Sequence, residues 1–296
     1  MVLGEVLWDI VGDREHLGGA PLNFAVNAKR LGHDVSFVSA VGRDPRGDQV
    51  LEKLGEFGLS SQFVTRVPDQ PTGTVTVSLG DPGQPEYLIH RPAAYDFPAL
   101  DGALFDRLIT IGADWIYYGT LQQLSSVAYA SLLRVLAAVP SSKRLYDVNL
   151  RRNSFTPELV CQLVQHASVI KLNEEEAGEV SAILGIKTMP LESFCRECRD
   201  RFDLDAVCVT RGAQGCALLS DQYVEHPGYG VGVADTIGAG DAFSAGLLHG
   251  LNAGWPATQV ADFANRLGAL VASRPGGTPN WSLEEVKALD GRGHSH

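Results

Sequence analysis

The stretch DTIGAGDAF, residues 235–243, sets two aspartates around a run of almost nothing but small residues. A turn needs one glycine or two; a backbone this bare suits a site where main-chain N–H groups approach a ligand closely. Downstream, Phe243, Leu247, Leu248 and Leu251 recur at helical spacing, so a helix over 241–252 starts at or near GAGD. The N–H groups of Gly238, Ala239 and Gly240 are then unpaired at the positive end of the helix dipole, where a phosphate or a developing oxyanion fits. Asp241 stands at the same spot and can accept a proton from a substrate hydroxyl. The dipole is expected to keep its carboxylate ionised, which makes it a weak base. Phosphoryl transfer tolerates a weak base, because its loose transition state asks for positioning more than for early deprotonation. The alternative is a plain N-cap aspartate over a tight glycine turn. No G-x-x-x-x-G-K-[ST] occurs, and GAGDAF lacks the third glycine of G-x-G-x-x-G. Both facts argue against a P-loop protein and a nucleotide-dependent oxidoreductase.

The elements that must position such a site alternate. Strand-like runs lie at 2–7, 35–41, 115–119, 144–150, 168–172 and 206–210. Helical patterns lie at 21–31, with proline at the first turn and Gly32 as a stop, and at 125–139, 174–184 and 241–252. Alternation of near-continuous apolar strands with helices predicts a parallel sheet covered by helices. Residues 62–98 break the rhythm: TGTVTVSLG alternates strictly, the turn-rich DPGQPE follows, and YLIH makes a second short strand. That reads as an antiparallel hairpin inserted in an α/β domain, a candidate lid or dimerisation sheet.

The chain of 296 residues carries 24 Lys and Arg against 35 Asp and Glu, a net charge of −11, which disfavours nucleic acid as a partner. No apolar run reaches the length of a membrane span and no secretory leader is visible, so a cytoplasmic protein without a membrane partner is expected. Five cysteines fit reduced thiols. The C-x-x-C at Cys195 and Cys198 has no second pair at ligand spacing and lies in an amphipathic helix pattern. His249 reads as a satisfied helix residue, and His294 and His296 as part of a frayed tail.

DTIGAGDAFSAG resembles the C-terminal signature of the ribokinase-like (PfkB) carbohydrate kinases. GGAPLNFAVNAKRLG (18–32) with VGRDPRGDQVLEKLGEFGL (41–59), NEEE (173–176) and VTRGAQG (209–215) match further motifs of that family, in family order. GEVLWD, AAYD and DVNLR look most like bacterial fructokinases. The resemblance implies a three-layer α/β/α domain with a mainly parallel central sheet (residues 1–10, 19–61 and 99–296) and a small β lid (11–18 and 62–98). It implies transfer of the γ-phosphoryl group of ATP to a sugar hydroxyl, with fructose the leading acceptor. Sister activities on 2-keto-3-deoxygluconate, ribose or a nucleoside are the rivals, and a silent sugar-binding regulator is a further one.

On that resemblance, Asp241 is the catalytic base and Gly238, Ala239 and Gly240 the anion hole. Asp9, Gly18, Gly19 and Asn23 bind the sugar: a carboxylate and an amide grip hydroxyls while the glycines let the ring lie against the backbone. Arg151, ending DVNLR, pairs with phosphate or caps the sugar; the bland alternative is a surface ion pair. Asn173 and Glu176 hold Mg²⁺ through its waters, unless the acidic run merely favours a helix N-terminus. Thr210, Gly212 and Gly215 border the nucleotide, and Asn265 lies near the adenine. Asp235, Val271, Arg274, Gly276 and Asn280 fall on a monovalent-cation (K⁺) site, although the family often has serine or alanine in place of Asn280. Arg91 and Tyr95 close over the sugar from the hairpin, and the lack of a cluster of cations beside Arg91 favours a neutral sugar. The lid also implies a homodimer.

Overall fold

The computed structural model describes residues 1–79, 85–187 and 190–290. Most of the turn-rich DPGQPE and the tail with His294 and His296 lie outside the described residues.

The first apolar run is two strands in two sheets. Val2–Leu3 (β1) enters a large sheet; after Gly4, Glu5 and Val6 the chain continues as Leu7–Val11 (β2), which pairs with Arg14–Gly18 (β3). Ala20–Arg30 (α1), Phe37–Gly42 (β4), Pro45–Glu56 (α2) and Val64–Val67 (β5) follow. Gly73–Leu79 (β6) and Pro85–His90 (β7) form the expected hairpin. The middle of the chain runs Gly102–Ile111 (α3), Trp115–Gly119 (β8), Thr120–Gln123 (α4), Ser126–Ala138 (α5), Lys143–Asp147 (β9), Pro157–Gln165 (α6), Val169–Asn173 (β10) and Glu174–Leu184 (α7). It closes with Leu191–Phe202 (α8), Ala206–Thr210 (β11), Cys216–Leu219 (β12), Tyr223–His226 (β13), Ala239–Asn252 (α9), Ala257–Ala272 (α10) and Leu283–Ala288 (α11).

Among the described residues the large sheet has nine strands in the order β13-β12-β11-β10-β9-β8-β1-β4-β5, all running one way except β12, which is antiparallel to both its neighbours. One apolar cluster fills the space between this sheet and α1, α2, α9, α10 and α11; it includes Phe24, Val50, Leu54, Leu247, Leu267 and Val286. A second fills the other face, under α5, α6, α7 and α8, with Leu132, Val160, Val180 and Phe194. These are the three expected layers. Ala20 through Ala28 of α1 are all buried: Phe24 stacks on Tyr117 of β8 with ring centroids 3.9 Å apart, and α9 covers another side of the helix.

A second, four-stranded sheet has the order β3-β2-β6-β7. Its limits differ from the sequence expectation. Leu7–Val11, assigned to the main domain as far as residue 10, belongs to this sheet, and Val64–Val67, assigned to the lid, is the far edge of the large one. Apolar patterning shows that a segment is buried but not which sheet buries it.

Asp44 fastens the entry to the hairpin. Its Oδ1 accepts from the Gly47 N–H (2.8 Å), capping α2, and from Thr72 Oγ1 (2.7 Å), while Oδ2 accepts from the Thr72 N–H (2.7 Å). Asp44→Ala is expected to cost about 2–3 kcal/mol by urea unfolding, as a lost cap and lost charged hydrogen bonds act together. Trp8 adds a second tie, its indole N–H reaching the Arg46 carbonyl at 3.3 Å.

Candidate active site

In parallel α/β sheets ligands gather beyond the carboxyl ends of the strands. Glu5 beyond β1, Asp147 ending β9, Asn173 ending β10 and Thr210 ending β11 all sit at that edge.

The helix α9 starts at Ala239, with Gly238 as its N-cap at φ 77° and no side-chain cap. Asp241 is therefore inside the first turn, and the N-cap alternative is excluded. Among the described residues the Gly238 and Gly240 N–H groups have no acceptor, whereas the Ala239 N–H reaches the Thr236 carbonyl at 3.3 Å. The anion cradle expected from three N–H groups thus rests chiefly on two. Asn23 Nδ2 donates to Asp241 Oδ2 at 2.8 Å, joining α1 to α9 across 218 residues.

The expectation that the dipole keeps Asp241 a weak base fails. Burial raises its carboxyl to about 6, and the nearby Asp147 pushes the same way; Asn23, Lys171 and Arg151 pull back. Burial outweighs the helix terminus because the carboxylate loses water to packing on several sides.

Below Asp241 lies a polar group that sequence reading missed. Asp147, fully buried, accepts from Lys171 Nζ (3.1 Å), Ser244 Oγ (2.7 Å) and the Tyr117 hydroxyl (3.2 Å). The signal was present: one lysine inside the apolar strand SVIKL, and an aspartate before NLR.

On the sugar side Asp9 and Gly18 meet across β2 and β3. A Cβ on Gly18 would stand 2.4 Å from Asp9 Oδ2, and one on Gly19 (φ 110°) would stand 2.7 Å from the Glu5 carbonyl. Burial raises Asp9 above the usual carboxylate range, with Arg151 and His16 opposing. Glu5 is pushed up to about 7 by burial, against the pull of Arg151 and Arg91. Glu5 Oε2, Asn23 Oδ1 and the Tyr95 hydroxyl are buried without a hydrogen-bond partner among the described residues. Arg151 is exposed, and among the described residues its guanidinium has no hydrogen bond or ion pair.

Arg91 and Tyr95 depart from expectation. Arg91 donates to the Leu121 carbonyl (2.7 Å) and pairs with Asp96, and Tyr95 is fully buried beside Leu7, Val75 and Leu121. Neither side chain hangs from the hairpin as a closing arm: both lie after β7, where the chain has returned to the core.

Asn173 and Glu176 form a reciprocal capping box on α7, each side chain accepting the other's N–H at 2.8 Å, and Glu176 Oε1 also accepts from the Leu150 N–H at 2.8 Å. Glu176 is buried and each of its oxygens accepts one backbone N–H, so it caps the helix with lone pairs to spare; Asn173 is exposed beside the site. Gly215 brings the 212–214 turn so close to the 226–228 segment that a Cβ would stand 1.9 Å from the His226 carbonyl. Thr210 Oγ1 reaches back to the Leu172 carbonyl at 3.4 Å, and Gly212 opens the turn in exposed backbone. Asn265 is buried, its amide donating to the Ala261 carbonyl (2.7 Å) and to Cys216 Sγ (3.2 Å). Asp235 accepts from the Ile237 and Gly276 N–H groups, which draws the 271–276 segment to the DTIGAGD loop. The Val271 carbonyl accepts from the Arg274 N–H, and Asn280 Oδ1 accepts from Arg30 Nη2 at 3.0 Å, so that amide faces a guanidinium and not an open cation cradle. The Cys195 and Cys198 thiols are buried on α8 and pushed up to about 12 by burial. His249 pairs with His33 at 3.0 Å.

The chain matches known proteins over this whole arrangement. A fructokinase of Escherichia coli is 28% identical over 93% of this chain and 93% of its own. The crystal structure of an uncharacterized sugar kinase from Pyrococcus horikoshii in complex with ATP superposes with a TM-score of 0.81, at 26% identity, covering 97% of this chain and 98% of that one. Fructokinase from Vibrio cholerae O395, in its fructose-, ADP- and calcium-bound form, superposes equally well, TM-score 0.81 at 25% identity and 97% coverage of both chains. Residues 7–283 match the pfkB family of carbohydrate kinases: the chain belongs to that family and is a sugar kinase.

Proposed function

We propose that this sugar kinase uses ATP and that fructose is its acceptor. The single observation that carries the catalytic reading is Asp241, hydrogen-bonded to Asn23 and standing one residue from the free Gly240 N–H at the start of α9. The acceptor hydroxyl lies between Asp9, Gly18 and Gly19 on one side and the hydrogen-bonded pair Asn23–Asp241 on the other. Its oxygen forms the bond to the γ-phosphorus as the bond from that phosphorus to the bridging oxygen breaks. The hydroxyl proton passes to Asp241, and ADP leaves with the electron pair. The Gly238 and Gly240 N–H groups and Arg151 face the charge spread over the transferring group. Mg²⁺ offsets phosphate charge when bound with the nucleotide; Asn173 and Glu176 are the residues that would meet its water shell. Thr210, Gly212, Gly215 and Asn265 are assigned to the nucleotide side, and the Asp235–Gly276 junction with Val271 and Arg274 to a monovalent cation.

Two observations favour fructose over an acidic sugar. Arg91 is paired with Asp96 and so is not free to meet a sugar carboxylate, and the relatives above include named fructokinases. The four-stranded sheet is assigned as the lid. Ile10, Thr76 and Leu88 are paired neighbours on one of its faces, with Leu88 61% exposed, the kind of surface a second copy would cover.

Coupled ADP release with ATP, Mg²⁺ and a panel of fructose, 2-keto-3-deoxygluconate, ribose, adenosine and fructose 6-phosphate tests the assignment. Fructose is expected to give the highest kcat/KM. Another winner overturns the substrate but keeps the chemistry, and sugar binding without turnover points to a silent regulator.

A pH profile tests the base. With Asp241 raised to about 6, kcat/KM is expected to fall as pH drops below that value, since the protonated acid cannot accept the hydroxyl proton. An acid limb near 4 would contradict the buried base.

A further inference from the structure

Lys171 is the buried charge that the chemistry above leaves without a task. It projects from the middle of the large sheet, 7% exposed, with its ammonium 3.1 and 3.4 Å from the two oxygens of Asp147. Asp147 in turn accepts from Ser244, and Ser244 lies within hydrogen-bond distance of the Gly240 carbonyl (3.0 Å), one helical turn up. The ammonium itself stands directly beneath that turn: a Cβ on Gly240 would be 3.5 Å from Nζ. β9, β10 and α9 therefore meet at one ion pair, directly behind the residue assigned as base.

A buried ion pair is a poor stabiliser, since well-packed apolar residues usually do as well or better. The pair makes more sense as a fixed charge arrangement for a reaction in which negative charge moves. Asp147, Glu176 and Asp241 all lie in the field of Lys171, and its ammonium sits at ion-pair distance from the Asp147 carboxylate. Around Asp241 the other facing groups are Asn23 on α1, Glu5 after β1, Tyr117 on β8, Asp147 on β9 and Arg151 in the loop after β9. Lys171 is the one buried cation in that set.

We propose that Lys171 is a positioning residue for phosphoryl transfer: gripped by Asp147, it anchors the first turn of α9 through Ser244 and sets a fixed positive charge beneath Gly240 and Asp241. This rests on Asp241 being the base.

The test compares Lys171→Met, Asp147→Asn and the double variant with the parent enzyme, using ATP, Mg²⁺ and the best acceptor between pH 5 and 9. Circular dichroism and thermal unfolding establish that each is folded. Lys171→Met is expected to lower kcat about 30-fold or more with KM for both substrates within about threefold, the pattern of an interaction felt in the transition state. Its acid limb in kcat/KM moves to higher pH, because Asp241 loses a cation and keeps the Asp147 charge. Asp147→Asn moves the limb the other way. The double variant, which loses one charge of each sign, brings the limb back toward the parent position while kcat stays low. Acid limbs that do not move in the folded variants, or a double variant with parental kcat, would reduce the pair to a structural brace and overturn the proposal. Should Lys171→Met fail to fold, the opposite shift in Asp147→Asn and the low kcat of the double variant decide. Asp241→Asn separates the two readings. If it is inactive while folded Lys171→Met turns over normally, the Lys171 proposal alone falls; if it is active, the base assignment falls first.

Discussion

Asp241→Asn is expected to lower kcat by about 10²–10⁴-fold, the range that a positioned general base contributes. KM for the sugar should change little, because asparagine keeps an oxygen for the Asn23 amide, which now donates to Asp241 Oδ2 at 2.8 Å. The same substitution should make the protein harder to unfold at neutral pH. The sign follows from linkage. The folded carboxyl binds its proton up to about pH 6, whereas the unfolded one releases it near its ordinary value of 3.8, so stability falls as pH rises between them. Asparagine carries no charge to bury and escapes that loss. Steady-state kinetics with thermal unfolding at pH 7 check both halves. A variant that keeps a tenth or more of its turnover removes Asp241 from the chemistry, and one that loses turnover together with stability indicates simple misfolding.

Gly238→Ala should be nearly as damaging for a different reason. Gly238 holds φ 77° as the N-cap of α9, and a Cβ there would sit 2.0 Å from the Gly277 carbonyl oxygen and 2.7 Å from the carbon behind it. Backbone on both sides leaves nothing to give way except the cap itself. The left-handed conformation and the overlap together should cost about 2–4 kcal/mol, and the shifted cap should move the Gly238 and Gly240 N–H groups, with a drop in kcat of about 10²-fold or more. Gly254→Ala, beyond the other end of α9, is the matched control: its φ is also positive, at 69°, but a Cβ there meets nothing within 4 Å. It should cost only about 1 kcal/mol and leave kcat near the parent value. Equal losses in the two variants would mean that conformation, and not the contact with Gly277, governs the cost at Gly238.

How much of this could be read from the chain alone depended on whether the informative feature was local. The helix Glu174–Leu184 was legible to the residue because an acidic first turn and an apolar face both lie within it. So was the chemistry of GAGD, since glycine next to aspartate has a direct meaning for backbone exposure and charge. Contacts between distant segments were not legible. Lys171 and Asp147 are 24 residues apart and meet because β9 and β10 run in parallel register. Asn23 could be assigned to the sugar but not to Asp241, whose position depends on how α1 packs beside α9. The strand expected over 144–150 stops at Asp147, where Asn149 turns through φ 39° and presents Arg151 to the site. The ionisation of Asp241 was misjudged because a helix dipole can be read from a pattern of residues, whereas loss of water depends on everything that folds over them.

The near-complete enclosure of α1 bears on how the polypeptide is made. Synthesis delivers Ala20–Arg30 early, together with β1 and β8 against which the helix rests. Its cover, Ala239–Asn252, emerges more than two hundred residues later. Throughout that interval the side of the helix that packs on Ala239–Asn252 lacks the surface that shields it in the finished molecule. A nascent chain of this kind presents a sticky apolar face to the ribosome exit and to other chains. Holding factors acting there, or slow translation of the final third, would govern yield more than any residue of the catalytic centre.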